Sequence, residues 1–294
     1  MSLLNALPGA CAQGLIWGLM AIGVYITYRV LDIADLTVDG TMCTGGAVCV
    51  MLMMNGCNVY VALLCAFIAG MLAGLVTGVF HTVMGIPAIL AGILTQLALY
   101  SINLRILGGA NQSINARKYS LLLSLLRIPQ AILVGVIFTA LLIALMYWFF
   151  GTELGCSLRA TGSNVHMARA QGINTDRATV LGLMLSNGIV ALASALYAQY
   201  QGFADINMGR GAIVIGLAAV IIGKVIFGKV FRNFALKLLA VSLGAVLYYA
   251  VIQVVLWLGL NADDLKLLTA LVVALFLSIP HLKGKLSSGH RREA

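Results

Sequence analysis

The sequence predicts an all-α polytopic membrane protein, and three observations predict it. Of 294 residues, 62% are hydrophobic and 9% charged, with a mean hydropathy of +1.03, whereas a soluble domain carries roughly 25% charged and about 45–50% apolar residues. Gly40 to Leu104 holds 65 residues without one Asp, Glu, Lys or Arg, and a spanning helix needs about 20. The apolar runs are also far longer than the roughly 10-residue alternating segments of a membrane β-barrel. A chain of this size cannot hide so much apolar surface from water, which excludes a soluble enzyme, a disordered chain and a nucleic-acid-binding module. The formal net charge of +9 fits a polytopic chain, whose Lys and Arg gather in short cytoplasmic loops.

About nine spans follow (eight to ten), near 10–29, 41–55, 59–81, 87–106, 128–150, 178–201, 211–229, 236–260 and 265–281. The first comes from the charge-free run Met1–Tyr28. The next three divide the long apolar run at Asn55-Gly56-Cys57-Asn58 and at Gly85-Ile86-Pro87, both turn-forming clusters. The rest come from Ile128–Thr152, Ala178–Ala204, Gly211–Gly223, Leu238–Ala262 and Leu267–Leu282. Residues 29–40 are polar enough to be a helix broken at membrane depth. A cytoplasmic C-terminus leaves 12 of the 18 Lys and Arg inside and 6 outside, so the positive-inside rule places the C-terminus in the cytoplasm and, with nine spans, the N-terminus outside.

Two interrupted segments share a pattern. Ile33-Ala34-Asp35-Leu36-Thr37-Val38-Asp39-Gly40 follows the first span and Phe203-Ala204-Asp205-Ile206-Asn207-Met208-Gly209-Arg210-Gly211 the sixth. Both read Ala-Asp-aliphatic-polar-aliphatic before a Gly-rich apolar stretch, and the topology puts them on opposite membrane faces. An inverted repeat leaves such a trace, with broken helices at the substrate pathway. The chain is one transmembrane domain over 1–294, with a cytoplasmic loop at 151–177 and a basic cytoplasmic tail at 283–294 that suits anionic lipid headgroups. The remaining loops are too short to hold a catalytic domain with its own core.

The loop 151–177 is the largest polar insertion. Ser163 or Asn164 can cap a short helix over Val165 to Gln171, which Gly172 can end in a left-handed conformation. Gly155 to Thr161 can form another, ending at Gly162. Two short helices with projecting arginines suit docking into a partner's groove; an ordinary basic loop has the same composition. The six Cys form no CxxC and no zinc spacing with His, so neither a metal site nor a disulfide is expected.

At this loop the chain resembles a known family. Arg159-Ala160-Thr161-Gly162, Ala168-Arg169 and Gly172-Ile173-Asn174-Thr175-Asp176-Arg177 resemble the coupling loop of permease subunits of ABC importers of the branched-chain amino acid and sugar type. Asp35-Leu36-Thr37-Val38-Asp39-Gly40-Thr41 with Gly45-Gly46-Ala47 is similar to the region after that family's first span, and Gly216 to Gly223 with its basic turn is a third match. The likeness covers about residues 10–282 and is nearest the single-permease systems for aromatic or other amino acids.

The resemblance implies a multi-pass subunit of a prokaryotic cytoplasmic (inner) membrane that forms a pathway for a small solute, an amino acid of the aromatic or another kind. It implies three partners: cytoplasmic ABC ATPase subunits, an extracytoplasmic substrate-binding lipoprotein and a second copy of this chain, all set in the lipid bilayer. The chain has no GxxxxGK[ST], so it lacks a phosphate-cradling loop. It is expected to be no enzyme and to bind no cofactor, with ATP and Mg on the partner ATPase. Arg159, Gly162, Asn164, Ala168, Arg169 and Gly172 are the candidate ATPase-coupling residues.

Polar residues within spans are expensive in lipid unless they face protein or water. Asp35, Asp39, Thr41, Gln96, Asn103, Asn187 and Gln199 are the pathway candidates. For the two carboxylates the alternative is a place at a helix start, favoured by the positive end of its dipole; for the amides it is a bond to a neighbouring helix. An intramembrane protease is disfavoured, because no His falls mid-span and no GxSG or GxGD occurs. An ion-gradient-driven secondary transporter or channel would not need an ATPase-docking loop.

Overall fold

The computed structural model describes residues 3–115, 119, 121–258 and, beyond them, 267, 270, 271, 273, 274 and 278. Apolar runs free of helix-breaking pairs become α1 (Leu3–Tyr25), α2 (Thr37–Met54), α3 (Val59–Thr82), α4 (Ala88–Leu107), α5 (Ile128–Phe149), α8 (Thr175–Gln201) and α10 (Phe234–Trp257). These seven are long and apolar enough to cross a membrane. The polar loop folds as α6 (Glu153–Ser163) and α7 (Val165–Ala170), and α9 covers Ala212–Phe227. The expected ninth span, 265–281, lies mostly outside the described residues, which include only 267, 270, 271, 273, 274 and 278 of it.

The expected span 211–229 is shorter in the structure. At 16 residues, α9 reaches about 24 Å at 1.5 Å per residue, less than a hydrocarbon core of about 30 Å. Residues 202–211 before it are non-helical, and both Gly202 and Gly211 take positive φ. Likewise the break after the first span is narrower than 29–40. One π-helical stretch, Ile26–Val30, extends α1, and only residues 31–36 are non-helical.

α1, α2 and α8 form the buried centre of the bundle; α3, α4 and α5 surround it and turn apolar faces outward. The closest approaches use glycine. Gly70 and Gly74 of α3 lie against the Asn187 and Leu183 carbonyls of α8, and a Cβ at either would overlap backbone. Small residues at four-residue spacing let two helices approach this closely.

The contacts give the bundle two ends. At one, α6 rests on Val30 and Leu31. At the other, the Tyr200 hydroxyl donates to the Gly9 carbonyl at 3.4 Å, and Asn111–Ser113 (β1) pairs antiparallel with Phe203–Asp205 (β2). This two-stranded sheet is not foreseen in the sequence. It joins the two polar segments that follow α4 and α8.

Candidate functional site

The two interrupted segments approach one another from opposite ends of the bundle. Residues 31–36 leave the α6–α7 end and lead into α2; residues 202–211 leave the strand end and lead into α9. They meet at Asp39, in the first turn of α2. Its Oδ2 accepts the Gly211 amide and its Oδ1 the Ile213 amide, each at 3.0 Å. Helix starts carry unpaired amides and partial positive charge, so a half-buried carboxylate satisfies α9 there. Arg210 stands beside this contact in sequence, but no ion pair joins it to Asp39 among the described residues.

Asp35 anchors a second cluster. The side chain is 2% exposed. Oδ1 accepts the Thr37 amide at 2.9 Å, and Oδ2 accepts Asn187 Nδ2 at 2.7 Å. The Thr41 hydroxyl donates to Asn187 Oδ1 at 2.7 Å, and Nδ2 also donates to the Leu183 carbonyl at 3.0 Å. Asn187 thus uses its acceptor and both donors, the condition under which a buried amide is tolerated. Three of the candidates, from the connector, α2 and α8, form one network.

The others stand apart. Asn103 Nδ2 donates to the Gly40 carbonyl at 3.3 Å, binding α4 to α2. Gln199 accepts the Leu122 amide at 3.2 Å and donates to Cys49 Sγ at 3.4 Å, which ties the segment before α5 to α2 and α8. Gln96 is half-buried, with its backbone against Gly40. A chain of threonines went unnoticed in the sequence: Thr37 and Thr77 hydroxyls lie 2.7 Å apart, and Thr77 donates to Thr95 at 2.9 Å. Single threonines at unrelated positions give no periodic signal that α2, α3 and α4 meet there.

At the α6–α7 end the loop is a fitted block. Thr152 caps α6 by accepting the Gly155 amide, and Asn164 caps α7 by accepting the Met167 amide at 3.1 Å. Gly172 has φ +81. Gly162 sits so close to the Val30 carbonyl that a Cβ would overlap it, with Leu31 Cα next. Arg159 donates to the Phe150 carbonyl at 2.7 Å and lies over the Phe234 ring. Arg169 donates to Thr175 Oγ1 at 2.8 Å and pairs with Asp176 at 3.1 Å. Ala168 is buried. Of the six coupling candidates, then, Gly162 and Ala168 face their own chain, Arg159 and Arg169 are exposed but bonded to it, and Asn164 and Gly172 are exposed.

Among its charged and polar side chains the loop also turns apolar ones outward: Met167 is 63%, Leu154 56% and Val165 41% exposed. Their signal is legible in retrospect as hydrophobic residues in an otherwise polar loop. Between the loop and the bundle lies a cavity of about 490 Å³ lined by Asp32, His81, Thr161, Gly162, Arg169 and Asp176, among others. Asp32 takes φ +57, the one non-glycine with positive φ among the described residues. Aspartate tolerates this conformation better than most residues, and such outliers cluster where backbone must change direction for function. A π-helical stretch immediately before it is a second mark of that kind.

Residues 8–279 match the branched-chain amino acid transport system / permease component family. The chain is 38% identical over 279 residues to the tyrosine transport system permease protein of Clostridioides difficile (strain R20291), covering 95% of this chain and 92% of that one. It is 36% identical over 282 residues to an uncharacterised protein of Rickettsia prowazekii (strain Madrid E), covering 95% and 99%. Identity to the autoinducer 2 import system permease protein of Salmonella typhimurium is 32% over 213 residues, or 70% of this chain and 59% of that one.

Proposed function

Because the chain belongs to the permease family of branched-chain amino acid transport systems, as a multi-pass translocation subunit of an ABC importer for a small solute, we propose that it carries an amino acid inward, tyrosine or another aromatic one. The 38% identical relative over nearly both full lengths supports this substrate class. Two copies form the pathway between them, an external binding protein delivers the solute, and two ATPase subunits dock on the α6–α7 surface with Leu154, Val165 and Met167 in their groove. The chain itself performs no hydrolysis; ATP and Mg belong to the ATPase.

One observation carries the mechanism: Gly162 is seated on Val30, two residues before the left-handed Asp32. A rigid loop moved by ATPase closure pushes there on the end of α1. The connector 31–36 takes up the change, and Asp35 hands it to Asn187 and Thr41 across α8 and α2. Hinges of this kind are a few residues that absorb large dihedral changes between packed bodies. ATP binding need only favour one arrangement over the other.

The test is uptake of labelled tyrosine, with leucine and ribose as comparators, in cells carrying the chain with its ATPase and binding protein. The reading expects ATP-dependent uptake competed by aromatic amino acids and co-purification of a P-loop ATPase with the tagged chain. Uptake driven by an ion gradient, with the chain purifying without an ATPase, would overturn it.

A further inference from the structure

At the α6–α7 end, away from the loop cavity, the last turns of α1 and α9 and the first turn of α10 enclose a cavity of about 460 Å³. Four of its lining residues are cations: Arg29, Lys224, Lys229 and Lys237. No carboxylate lines it, and none of the four forms an ion pair or a side-chain hydrogen bond among the described residues. All four are exposed. The floor is apolar, from Val220, Val225, Phe231, Ala240 and Val241, with Tyr25 as a polar rim.

Four like charges around one concavity repel one another, and among the described residues only the carbonyl ends of the helices that carry Arg29 and Lys224 offset them, in part. A group that brings concentrated negative charge relieves that repulsion, and a phosphate does so with oxygens for several ammonium and guanidinium donors. The apolar floor continues into α9 and α10, which turn Ile226, Leu236 and Leu247 outward, so a ligand with an apolar body fits there. We propose that this cavity binds a phosphate group, that of an anionic phospholipid whose acyl chains lie along α9 and α10. Basic pockets between membrane helices at the cytoplasmic surface take such headgroups. The proposal goes beyond the transport reading and does not use the pathway or the ATPase surface.

The experiment is native mass spectrometry of the purified full chain, mixed with equal amounts of phosphatidylglycerol and phosphatidylcholine in a neutral detergent. The wild type retains phosphatidylglycerol in preference, and Lys224→Gln with Lys237→Gln lowers that preference about tenfold, since each basic residue near an anionic lipid contributes several-fold. Arg105→Gln, which removes one exposed charge at the opposite end, leaves it unchanged. Lys229→Gln lies in the turn after α9 and weakens retention on its own, should the double variant fold poorly. Equal retention of the two lipids, or a preference that survives these variants, overturns the proposal. Thermal protection of the wild type by millimolar inorganic phosphate without retained phosphatidylglycerol overturns the lipid source and assigns the cavity to a soluble phosphate.

Discussion

Asp39, in the first turn of α2, accepts the amide hydrogen of Ile213, in the first turn of α9, at 3.0 Å. With the Gly211 amide on its other oxygen, one carboxylate lies between the starts of two helices that approach from opposite ends of the bundle. Both dipoles favour a negative charge at that point.

Asp39→Leu therefore removes the acceptor for two partly buried amides and is expected to destabilise the chain by about 1–3 kcal/mol. Asp39→Asn keeps one acceptor oxygen and costs less. Thermal unfolding in detergent measures the difference; equal melting temperatures for the two variants contradict the assignment.

The Asp35–Asn187 pair predicts a charge-swap result. Asn187→Asp sets a second carboxylate against Asp35 Oδ2, where the amide now donates at 2.7 Å, and uptake is lost. Adding Asp35→Asn restores a donor–acceptor pair and recovers part of the uptake. Residues in one hydrogen-bond network couple by about 0.5–3 kcal/mol, so the double variant should exceed the additive expectation by several-fold. Strict additivity would mean that the two side chains act separately.

Asp32 is predicted to be replaceable by glycine and not by valine. Its φ of +57 costs an ordinary L-residue about 1–2 kcal/mol, more for a β-branched one, and glycine adopts it freely. Uptake and stability are measured for both. A tolerated Asp32→Val would show that the connector does not need this turn.

Much of this architecture was legible in the sequence, because spans are long and lipid demands continuous apolar helix. Asn55-Gly56 and Gly85-Ile86-Pro87 stand where α2 and α3 end. Asn164 and Gly172 stand at the start of α7 and in the turn just past its end, where side-chain capping and a positive φ require such residues. Less was legible where the chain is not helical. The pairing of Gln112 with Ala204 joins segments almost a hundred residues apart, and three-residue strands carry no periodicity. The Asp35–Thr41–Asn187 network was visible only as separate polar residues, since register between helices decides which of them meet. Gln199 shows the opposite case: equally polar and fully buried, it bonds the segment before α5.

The inward placement of Gly162 was also hidden. Its neighbours read in the sequence like a polar loop, and only the fold reveals that the glycine faces Val30 while Met167 faces out.

That contact carries the central claim, and the most direct measurement is coupled transport by Gly162→Val in proteoliposomes containing the complete importer. The variant is predicted to assemble and hydrolyse ATP. Its solute uptake should fall about tenfold or more, and loaded binding protein should no longer stimulate hydrolysis, within the usual range of allosteric coupling of roughly 5–150-fold. The exposed neighbour change Ser163→Val should leave both activities near wild type. Wild-type uptake and stimulation in Gly162→Val would contradict a path from the docking loop through Val30 to Asp35.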